Sequence, residues 1–398
     1  MCNKTGFTCL LSTRRTSTVQ EVLNKISNQI NFHRMSTRKI GKQINTTHVT
    51  ISNFLNGKSQ MRSNTYGELL KEVFPNDVTT RRMCCERYFS QTDKPINKRL
   101  AMDYLAVHGE QELLKQLIDI EKTSHDKDNR EWAYVYELIY LRNKGELSGR
   151  KLQKRLHQAK KEIKLSTTEM QILFEILSLF ATADRRNFKL LNDTAAILLE
   201  EVDSISDPYL KLSFEYKIKE CMIQGLLMSG EVEKARTTCH EIINREELRR
   251  RFPMIVATAY GTLGESYTFE SFETAKHYIN QAIEILEKKL NARMSLRNDM
   301  MVNTIEFLKI MWKVELNNVH PIHIAEKAYL KIQLGDNEKA IRMLERLKEE
   351  NGELSAFQLY YLALAKNDKK LFSESLNKFE QLGNIFYSQL PKKNLGII

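Results

Sequence analysis

The sequence predicts an all-α protein, and three observations support this fold class. The 398 residues include only 15 glycines and 6 prolines, both well below the usual shares of about 7% and 5%, and turn-rich β folds need these residues. Apolar residues recur at helical spacing along most of the chain. Polar loop signals separate these stretches at 125–129, 144–146, 204–208, 229–231, 335–337, 351–352 and 367–369.

Charge divides the chain into two parts. Residues 1–100 contain 17 of the 61 Lys and Arg residues but only 6 of the 50 Asp and Glu residues. The whole net charge of +11 therefore lies in the first quarter, and the remainder is balanced. A basic module on a neutral body indicates an anion-binding head, for which nucleic acid is the commonest partner. A basic solvated tail is the alternative.

Two short helices separated by a turn are predicted within residues 37–56. Their buried faces are marked by apolar residues at helical spacing, namely Ile40, Ile44, Ile51, Phe54 and Leu55. Ser36 and Thr47 are the predicted N-caps, since a hydroxyl oxygen accepts an otherwise unpaired backbone N–H. Asn45 lies in the turn and tolerates the left-handed conformation. Gly41 is small enough for the second helix to pack closely.

This pattern resembles the helix-turn-helix of the Cro and phage-repressor type. The run Thr50–Gly57, followed by Lys58, is similar to the recognition helix and its exit in that family. The chain departs from the pattern at Asn45, where glycine is usual, and at Thr46, where an apolar residue is usual. Flanking helices are expected near 19–32 and 64–74, the latter ended by Pro75.

In such a module the second helix enters the major groove of double-stranded DNA. Base contacts are predicted for Thr47, His48, Thr50, Ser52 and Asn53. Asparagine can pair bidentately with adenine, and threonine methyl groups can contact the thymine methyl. Phosphate contacts are predicted for Arg38, Lys39, Lys42, Lys58 and Arg62. Use of the motif for protein contacts is the alternative, and the segregated charge argues against it.

The neutral body shows degenerate internal similarity. Three stretches begin after a polar turn and place a small alanine one turn into a helix, namely 230–243 with Ala235, 270–286 with Ala275 and 335–350 with Ala340. Helical hairpins that pack on small residues are typical of tetratricopeptide-like repeats. The prediction is a loose N-terminal arm over 1–15, a helix-turn-helix DNA-binding domain over 16–92, and a tetratricopeptide-like α-solenoid over 93–398. Such arrays expose a concave surface suited to a peptide or protein partner.

Other functional classes find no support in the sequence. The chain lacks the P-loop, dinucleotide-binding, nucleophile-elbow and zinc-protease motifs, so we expect no enzyme and no cofactor. His320 and His323 are three residues apart but have no third ligand nearby, so no metal site is predicted. The six cysteines form no C-x-x-C pair and are read as reduced, mostly buried thiols. Without a signal peptide or a membrane span, the expected location is the cytoplasm.

Three stretches of the body carry a resemblance to a known family. They are 131–156 (EWAYVYELIYLRNKGELSGRKLQKRL), 259–285 (AYGTLGESYTFESFETAKHYINQAIEI) and 356–391 (AFQLYYLALAKNDKKLFSESLNKFEQLGNIFYSQLP). In order and spacing they resemble the AimR-like family, the arbitrium receptors of temperate phages. The resemblance implies a homodimeric DNA-binding activator that favours lysis over lysogeny. It also implies control by a short secreted peptide bound in the body, and dimer contacts near 377–395.

The chain departs from that family at two peptide-clamping asparagines. Glu265 stands within G-E-S-Y where the family has G-N-[ST]-Y, and Lys309 stands within F-L-K-I where it has F-[LV]-N-N. The resemblance places the peptide site near Glu265, Arg297, Asn303, Lys309 and Asn384. Either the ligand differs, or Glu265 and Lys309 pair and close the groove. The second option describes an orphan paralogue that acts without peptide, as a regulator or as a protein-interaction scaffold.

Overall fold

The computed structural model describes residues 6–287 and 291–398; the side chains of 6–18 and of Lys189 are not described. All regular secondary structure in these two ranges is helical, with 22 α-helices and one short 3-10 helix at Leu316–Asn318. The predicted all-α class is therefore confirmed. None of the helices in the described part is both long enough and apolar enough to span a membrane.

The first twelve helices lie within residues 6–228. They are α1 (Gly6–Phe32), α2 (Thr37–Gln43), α3 (His48–Leu55), α4 (Ser63–Val73), α5 (Val78–Gln91), α6 (Pro95–His108), α7 (Gln111–Glu121), α8 (Lys127–Asn143), α9 (Gly149–Glu162), α10 (Thr168–Asp184), α11 (Phe188–Val202) and α12 (Pro208–Met228).

Ten further helices lie within residues 232–395. They are α13 (Val232–Ile243), α14 (Glu246–Arg251), α15 (Pro253–Ser266), α16 (Phe272–Leu286), α17 (Ala292–Trp312), α18 (Ile324–Gln333), α19 (Asn337–Asn351), α20 (Ala356–Lys366), α21 (Lys369–Gln381) and α22 (Ile385–Leu395).

Helix α1 is longer than the sequence suggested. It begins at Gly6, so residues 6–15 are helical where a loose arm was expected, and residues 1–5 lie outside the described part. The physical reason is that residues 7–32 contain neither proline nor glycine, so nothing in the backbone interrupts the helix once it has started.

The chain forms two compact units. The first contains the described residues up to 147 together with 157–174 and 207–213, and the second contains 148–156, 175–206 and 214–398. This division differs from the boundary expected at residue 92. Helix α6 belongs to the first unit because it packs closely on α4: a Cβ added at Gly67 would overlap the ring of Tyr104.

Aromatic rings form much of the core of the first unit. The ring centroids of Tyr66 and Tyr88 lie 4.2 Å apart, and Phe54 of α3 meets both rings edge-on at 5.5 Å. The Tyr66 hydroxyl donates to the Cys84 carbonyl, and the Tyr88 hydroxyl donates to the Met61 carbonyl. These contacts anchor α3 to α4 and α5, so its exposed face has a fixed orientation within this unit.

Helical hairpins build the second unit, as the alanine pattern predicts. Ala235, Ala275 and Ala340 are all fully buried. A Cβ added at Gly264 of α15 would come within 2.7 Å of the Ala275 carbonyl oxygen in α16. The two backbones therefore approach so closely that only small residues fit at the contact.

Cysteine behaves as predicted where it is described. Cys84, Cys85, Cys221 and Cys239 are buried free thiols. Burial raises the pKa of the Cys84 thiol to about 11 and that of Cys239 to about 12, so both remain protonated at neutral pH. Cys2 lies outside the described residues, as does the side chain of Cys9.

Candidate nucleic-acid interface and ligand cavity

The geometry of a helix-turn-helix is present at α2 and α3. The Thr47 hydroxyl accepts the Thr50 N–H at 3.1 Å, and the Ser36 hydroxyl accepts the Lys39 N–H at 3.4 Å, so both predicted N-caps are confirmed. Asn45 has φ +54°, in the left-handed region that the turn requires. A Cβ at Gly41 would lie 2.8 Å from the Thr46 carbonyl oxygen, which explains the need for glycine.

The inward face of this motif is the one that the apolar spacing predicts. Ile40, Ile44, Ile51 and Phe54 are each at most 2% exposed. Leu55 is only partly buried. The opposite face of α3 is therefore turned away from the core.

Three side chains on α3 are available to a partner. His48 is exposed, Val49 is 52% exposed, and Asn53 is half-buried. Within the described residues neither the His48 ring nor the Asn53 carboxamide takes part in a hydrogen bond. The outward face of α3 therefore offers a partner the imidazole ring of His48, the methyl groups of Val49 and the amide of Asn53.

The hydroxyl groups on α3 are already used locally. The Thr47 and Thr50 hydroxyl oxygens lie 2.9 Å apart and form one hydrogen bond. The Ser52 hydroxyl accepts the Asn56 side-chain N–H at 3.4 Å. These predicted base-contacting residues thus lie on the helix, but their hydroxyls also stabilise its first and last turns.

Four of the predicted phosphate-binding residues have no acidic side chain paired with them in the described part of the chain. Arg38, Lys39, Lys42 and Lys58 are exposed, and none has a carboxylate partner in the described part of the chain. Arg62 differs, because its guanidinium forms an ion pair with Asp207. Its charge is therefore partly offset, although the side chain is still 46% exposed.

A cavity of about 900 Å³ lies within the second unit. It is surrounded by α12, α15, α17, α18, α19, α20, α22 and the turn between α10 and α11. Its lining is formed by Ala183, Asp184, Arg186, Phe188, Gln224, Met228, Glu265, Asn303, Thr304, Phe307, Ile322, His323, Ile324, Ala325, Glu326, Leu347, Ser355, Phe357, Gln358, Tyr361, Asn384 and Tyr387. A mixed apolar and polar wall of this size is typical of a ligand site.

Aromatic rings fix one wall of the cavity. The Phe357 and Tyr387 centroids lie 4.8 Å apart, and Tyr361 stacks on Tyr329 at 4.5 Å. The Tyr361 hydroxyl is fully buried and has no hydrogen-bond partner in the described part of the protein. Burial and the charge of Glu326 raise the pKa of Tyr361, so its hydroxyl remains a donor.

The predicted peptide-site residues separate into two groups. Glu265, Asn303 and Asn384 line the cavity. Asn384 also caps α22, because its side-chain oxygen accepts the Tyr387 N–H at 3.1 Å. Asn303 makes no side-chain hydrogen bond within the described ranges, so its amide is available to a ligand.

Arg297 and Lys309 lie outside the cavity lining. Arg297 is in ion contact with Glu220 at 2.5 Å. Burial acts to raise the pKa of Glu220, but Arg297 and Arg293 outweigh this and lower it. Lys309 lies 3.4 Å from Glu306 and 3.9 Å from Glu315. Both cations are therefore neutralised by carboxylates of the same unit.

The pairing of Glu265 with Lys309 does not form. Glu265 instead accepts the Tyr387 hydroxyl at 2.6 Å, while Lys309 is bound to Glu306. The predicted pair rested on the opposite charges of Glu265 and Lys309. The contact of Tyr387 in α22 with Glu265 in α15 depends on tertiary packing, which the sequence does not show. Glu265 therefore remains in the cavity wall, and no Glu265–Lys309 bridge closes the cavity.

Replacing Glu265 by glutamine should stabilise the protein at neutral pH. Burial raises the pKa of Glu265, with the Tyr387 bond and Arg186 opposing this only in part. The Glu265 carboxyl therefore binds its proton more tightly in the folded protein than in the unfolded chain. Protonated Glu265 contributes its full stabilisation of the folded state below pH 4.5, the usual pKa of glutamate. This contribution is lost as the pH rises through the raised pKa of Glu265, and glutamine, which cannot ionise, avoids the loss.

Thermal denaturation between pH 4 and pH 8 measures this effect. We expect Glu265→Gln to melt about 2 °C above the parent protein at pH 7, and the two to converge near pH 4. The control is Glu374→Gln, an exposed glutamate in the middle of α21, which should show no such gap. A pH-independent difference would contradict the proposed role of burial.

Three functional candidates escaped the sequence-based prediction. Val49 follows His48 on α3 and is apolar, whereas base contacts were predicted only for its polar neighbours. Tyr361 and Glu326 occupy positions in helices whose apolar spacing is that of ordinary core. A tyrosine at a core position carries a hydroxyl that needs a hydrogen-bond partner. The presence of tyrosine at such a position was the one feature of the sequence that could have marked Tyr361.

A helix-turn-helix in a chain with a body of helical hairpins is an arrangement typical of transcriptional regulators. Residues 81–396 match the AimR transcriptional regulator-like family. The chain belongs to this family, as the resemblance in its body predicts.

Two curated proteins are similar to this chain. The chain is 24% identical over 335 residues to the AimR transcriptional regulator of Bacillus phage phi3T, covering 81% of this chain and 83% of that protein. It is 35% identical over 255 residues to the uncharacterized protein pXO2-35 of Bacillus anthracis, covering 64% of this chain and 94% of that protein.

Solved structures support the fold. A phAimR–ligand structure matches with a TM-score of 0.72 at 22% identity, covering 85% of this chain and 98% of that chain. A selenomethionine phAimR structure matches with a TM-score of 0.67 at 21% identity, covering 94% of this chain and 96% of that chain.

Proposed function

We propose that this AimR-like regulator binds operator DNA through α3 and controls a phage lysis–lysogeny decision in response to a short signalling peptide. One observation carries the DNA-binding part. The outward face of α3, which carries His48, Val49 and Asn53, is flanked by four exposed cations that lack carboxylate partners in the described part of the chain. These cations are Arg38, Lys39, Lys42 and Lys58. Unpaired cations beside a short helix match the phosphate backbone on either side of a groove.

Roles within α3 follow from the chemistry of its available groups. The Asn53 amide can donate to and accept from adenine, and the Val49 methyl groups can contact a thymine methyl. His48 offers one donor and one acceptor when neutral. The cations Arg38, Lys39, Lys42 and Lys58 position the helix and do not read sequence.

Asn53→Ala should remove sequence preference and leave non-specific affinity nearly intact. We expect the substitution to weaken specific binding by about 10- to 100-fold, the equivalent of one bidentate base contact. Fluorescence anisotropy with duplexes that tile the regions upstream of the gene and its neighbours measures this. Titrations at two salt concentrations separate the specific term from the electrostatic one.

The control is Asn337→Ala, an exposed asparagine at the start of α19. It should bind every duplex as the parent protein does. Equal affinity of the parent protein for all duplexes would refute the assignment of α3 as the reading helix. Absence of binding to every duplex would favour the alternative function, that of a protein-interaction scaffold.

Peptide control is supported by the cavity. Its volume of about 900 Å³ lies near the upper end of the range of about 300–1,000 Å³ for ligand sites. Its wall combines the aromatic rings of Phe307 and Phe357 with the amides of Asn303 and Gln224. Amides can both donate to and accept from a peptide backbone.

A thermal-shift screen tests the peptide. The probes are short peptides encoded by small open reading frames beside the gene, at concentrations up to 1 mM. A binding peptide raises Tm in proportion to the logarithm of its concentration above Kd. It should also alter DNA affinity, since the two sites are coupled in the proposed mechanism. Absence of stabilisation by every peptide favours the orphan paralogue that acts without one.

A homodimer completes the proposal, with contacts near α21 and α22 as the family resemblance implies. Ile385 is 41% exposed and Ile397 is 57% exposed, and single apolar residues of this kind become buried in dimer contacts. Sedimentation equilibrium of the full chain measures the state. A monomer at micromolar concentration would contradict this part of the proposal.

A further inference from the structure

We propose that Arg150, Arg185 and Arg186 form a carboxylate-binding subsite beside the cavity, which holds the C-terminal carboxylate of the bound peptide. This inference rests on the proposed peptide control and specifies the end of the ligand that is recognised.

The three arginines surround a hollow of about 380 Å³, completed by Asn187, Gln381 and Leu382. No acidic residue contributes to its lining. All three arginines are exposed, and none is ion-paired within the described residues. Three like charges around one hollow repel one another, so a bound anion would stabilise the arrangement.

The local structure holds these charges in place. The Arg185 guanidinium donates to the Gln153 side-chain oxygen at 2.6 Å. Arg186 has φ +57°, a conformation that is unusual for a residue other than glycine and is often found at functional sites. The nearby Asp184 lines the larger cavity and accepts the Gly149 N–H at 3.3 Å. Asp184 is not among the residues that line the hollow.

Continuity with the cavity identifies the anion. Arg186 lines both the 900 Å³ cavity and the hollow. The two spaces therefore meet at one side chain, and we infer that a peptide in the cavity places one end in the hollow. Three arginines select the terminus that carries a negative charge, which is the C-terminal carboxylate. Guanidinium groups bind carboxylates through two parallel hydrogen bonds, which gives both affinity and orientation.

A small probe tests the hollow without knowledge of the peptide. N-acetylglycylglycine carries one carboxylate and no other charge, and its C-terminal amide is the neutral control. We expect the acid to raise Tm of the full chain in low-salt buffer and the amide to leave it unchanged. The double variant Arg185→Gln/Arg186→Gln should raise the acid's binding midpoint at least tenfold. Arg249→Gln, an exposed arginine on α14, should not change it.

A structural role gives a different result. Arginines that follow the end of α10 could serve only to offset its helix dipole, and their loss would then lower Tm without changing the response to the acid. That outcome overturns the proposal, as does equal stabilisation by acid and amide. Stabilisation by inorganic phosphate but not by the acid identifies a phosphate site instead and also overturns it. If the double variant does not fold, Arg150→Gln on α9 provides the same test.

The two proposals fail separately. If a peptide from the screen stabilises the protein equally well with a free or an amidated C-terminus, peptide control stands and the carboxylate subsite is wrong. If N-acetylglycylglycine binds in the arginine hollow but no peptide binds the cavity, the hollow is an anion site and its assignment to a peptide terminus is wrong.

Discussion

Replacing Arg38, Lys39 and Lys42 by glutamine should weaken DNA binding at 0.15 M salt by about 100-fold for each bound protomer, and so by about 10⁴-fold for the proposed homodimer. Each cation that contacts a phosphate contributes about 0.9 to the slope of log K against log salt. Removing three lowers the slope by about 3 for each bound protomer, and the loss of affinity follows from the same slope. None of the three has a carboxylate partner in the described part of the chain, so their full charge acts on DNA.

Anisotropy titrations over a range of salt concentrations measure both quantities. The matched control replaces Lys327, Lys339 and Lys348 by glutamine, three exposed lysines on α18 and α19. It removes the same net charge and should change neither slope nor affinity appreciably. If both triple variants lose affinity equally, overall charge and not the surface around α3 determines binding.

Tyr361→Phe should change stability and ligand binding in opposite directions. The Tyr361 hydroxyl is fully buried and unpartnered within the described residues. An unsatisfied buried hydroxyl costs about 1–3 kcal/mol. We expect its removal to raise Tm of the ligand-free protein by about 2–4 °C.

Because the hydroxyl has no accessible surface in the ligand-free protein, a peptide bonds to it only by displacing part of the cavity wall. Such a peptide loses that partner in the variant. We expect its affinity to fall about tenfold, equivalent to about 1.4 kcal/mol. Thermal shift and calorimetry with a peptide that stabilises the parent protein measure the two effects. Tyr360→Phe is the matched control, because Tyr360 is also buried but does not line the cavity. A lower Tm for Tyr361→Phe would show that the hydroxyl contributes to the unliganded fold.

The helix-turn-helix could be predicted because its determinants are local. Ser36 and Thr47 act on N–H groups three residues away, and Asn45 needs only a backbone conformation that its own side chain tolerates. The burial of Ile51 and Phe54 follows from their spacing along one helix. None of these features depends on a distant part of the chain.

The ligand site was less accessible to prediction because it is built from distant elements. Asn303 and Asn384, two residues of the peptide site that the family resemblance implies, do line the cavity, but the partners of the charged residues were not predicted. Glu265 bonds Tyr387, which lies 122 residues later, and Arg62 pairs with Asp207, 145 residues later. Spacing within a helix contains no information on such contacts.

The amino-acid sequence by itself determined the helical class, the basic head and the face of α3 that is turned outward. These follow from composition, charge and periodicity, which act over a few residues. Only the tertiary structure decided which charges remain unpaired, which hydroxyl is left without a partner, and where a cavity remains open. Those properties depend on how helices far apart in the chain pack, because burial and ion pairing are set by neighbours in space.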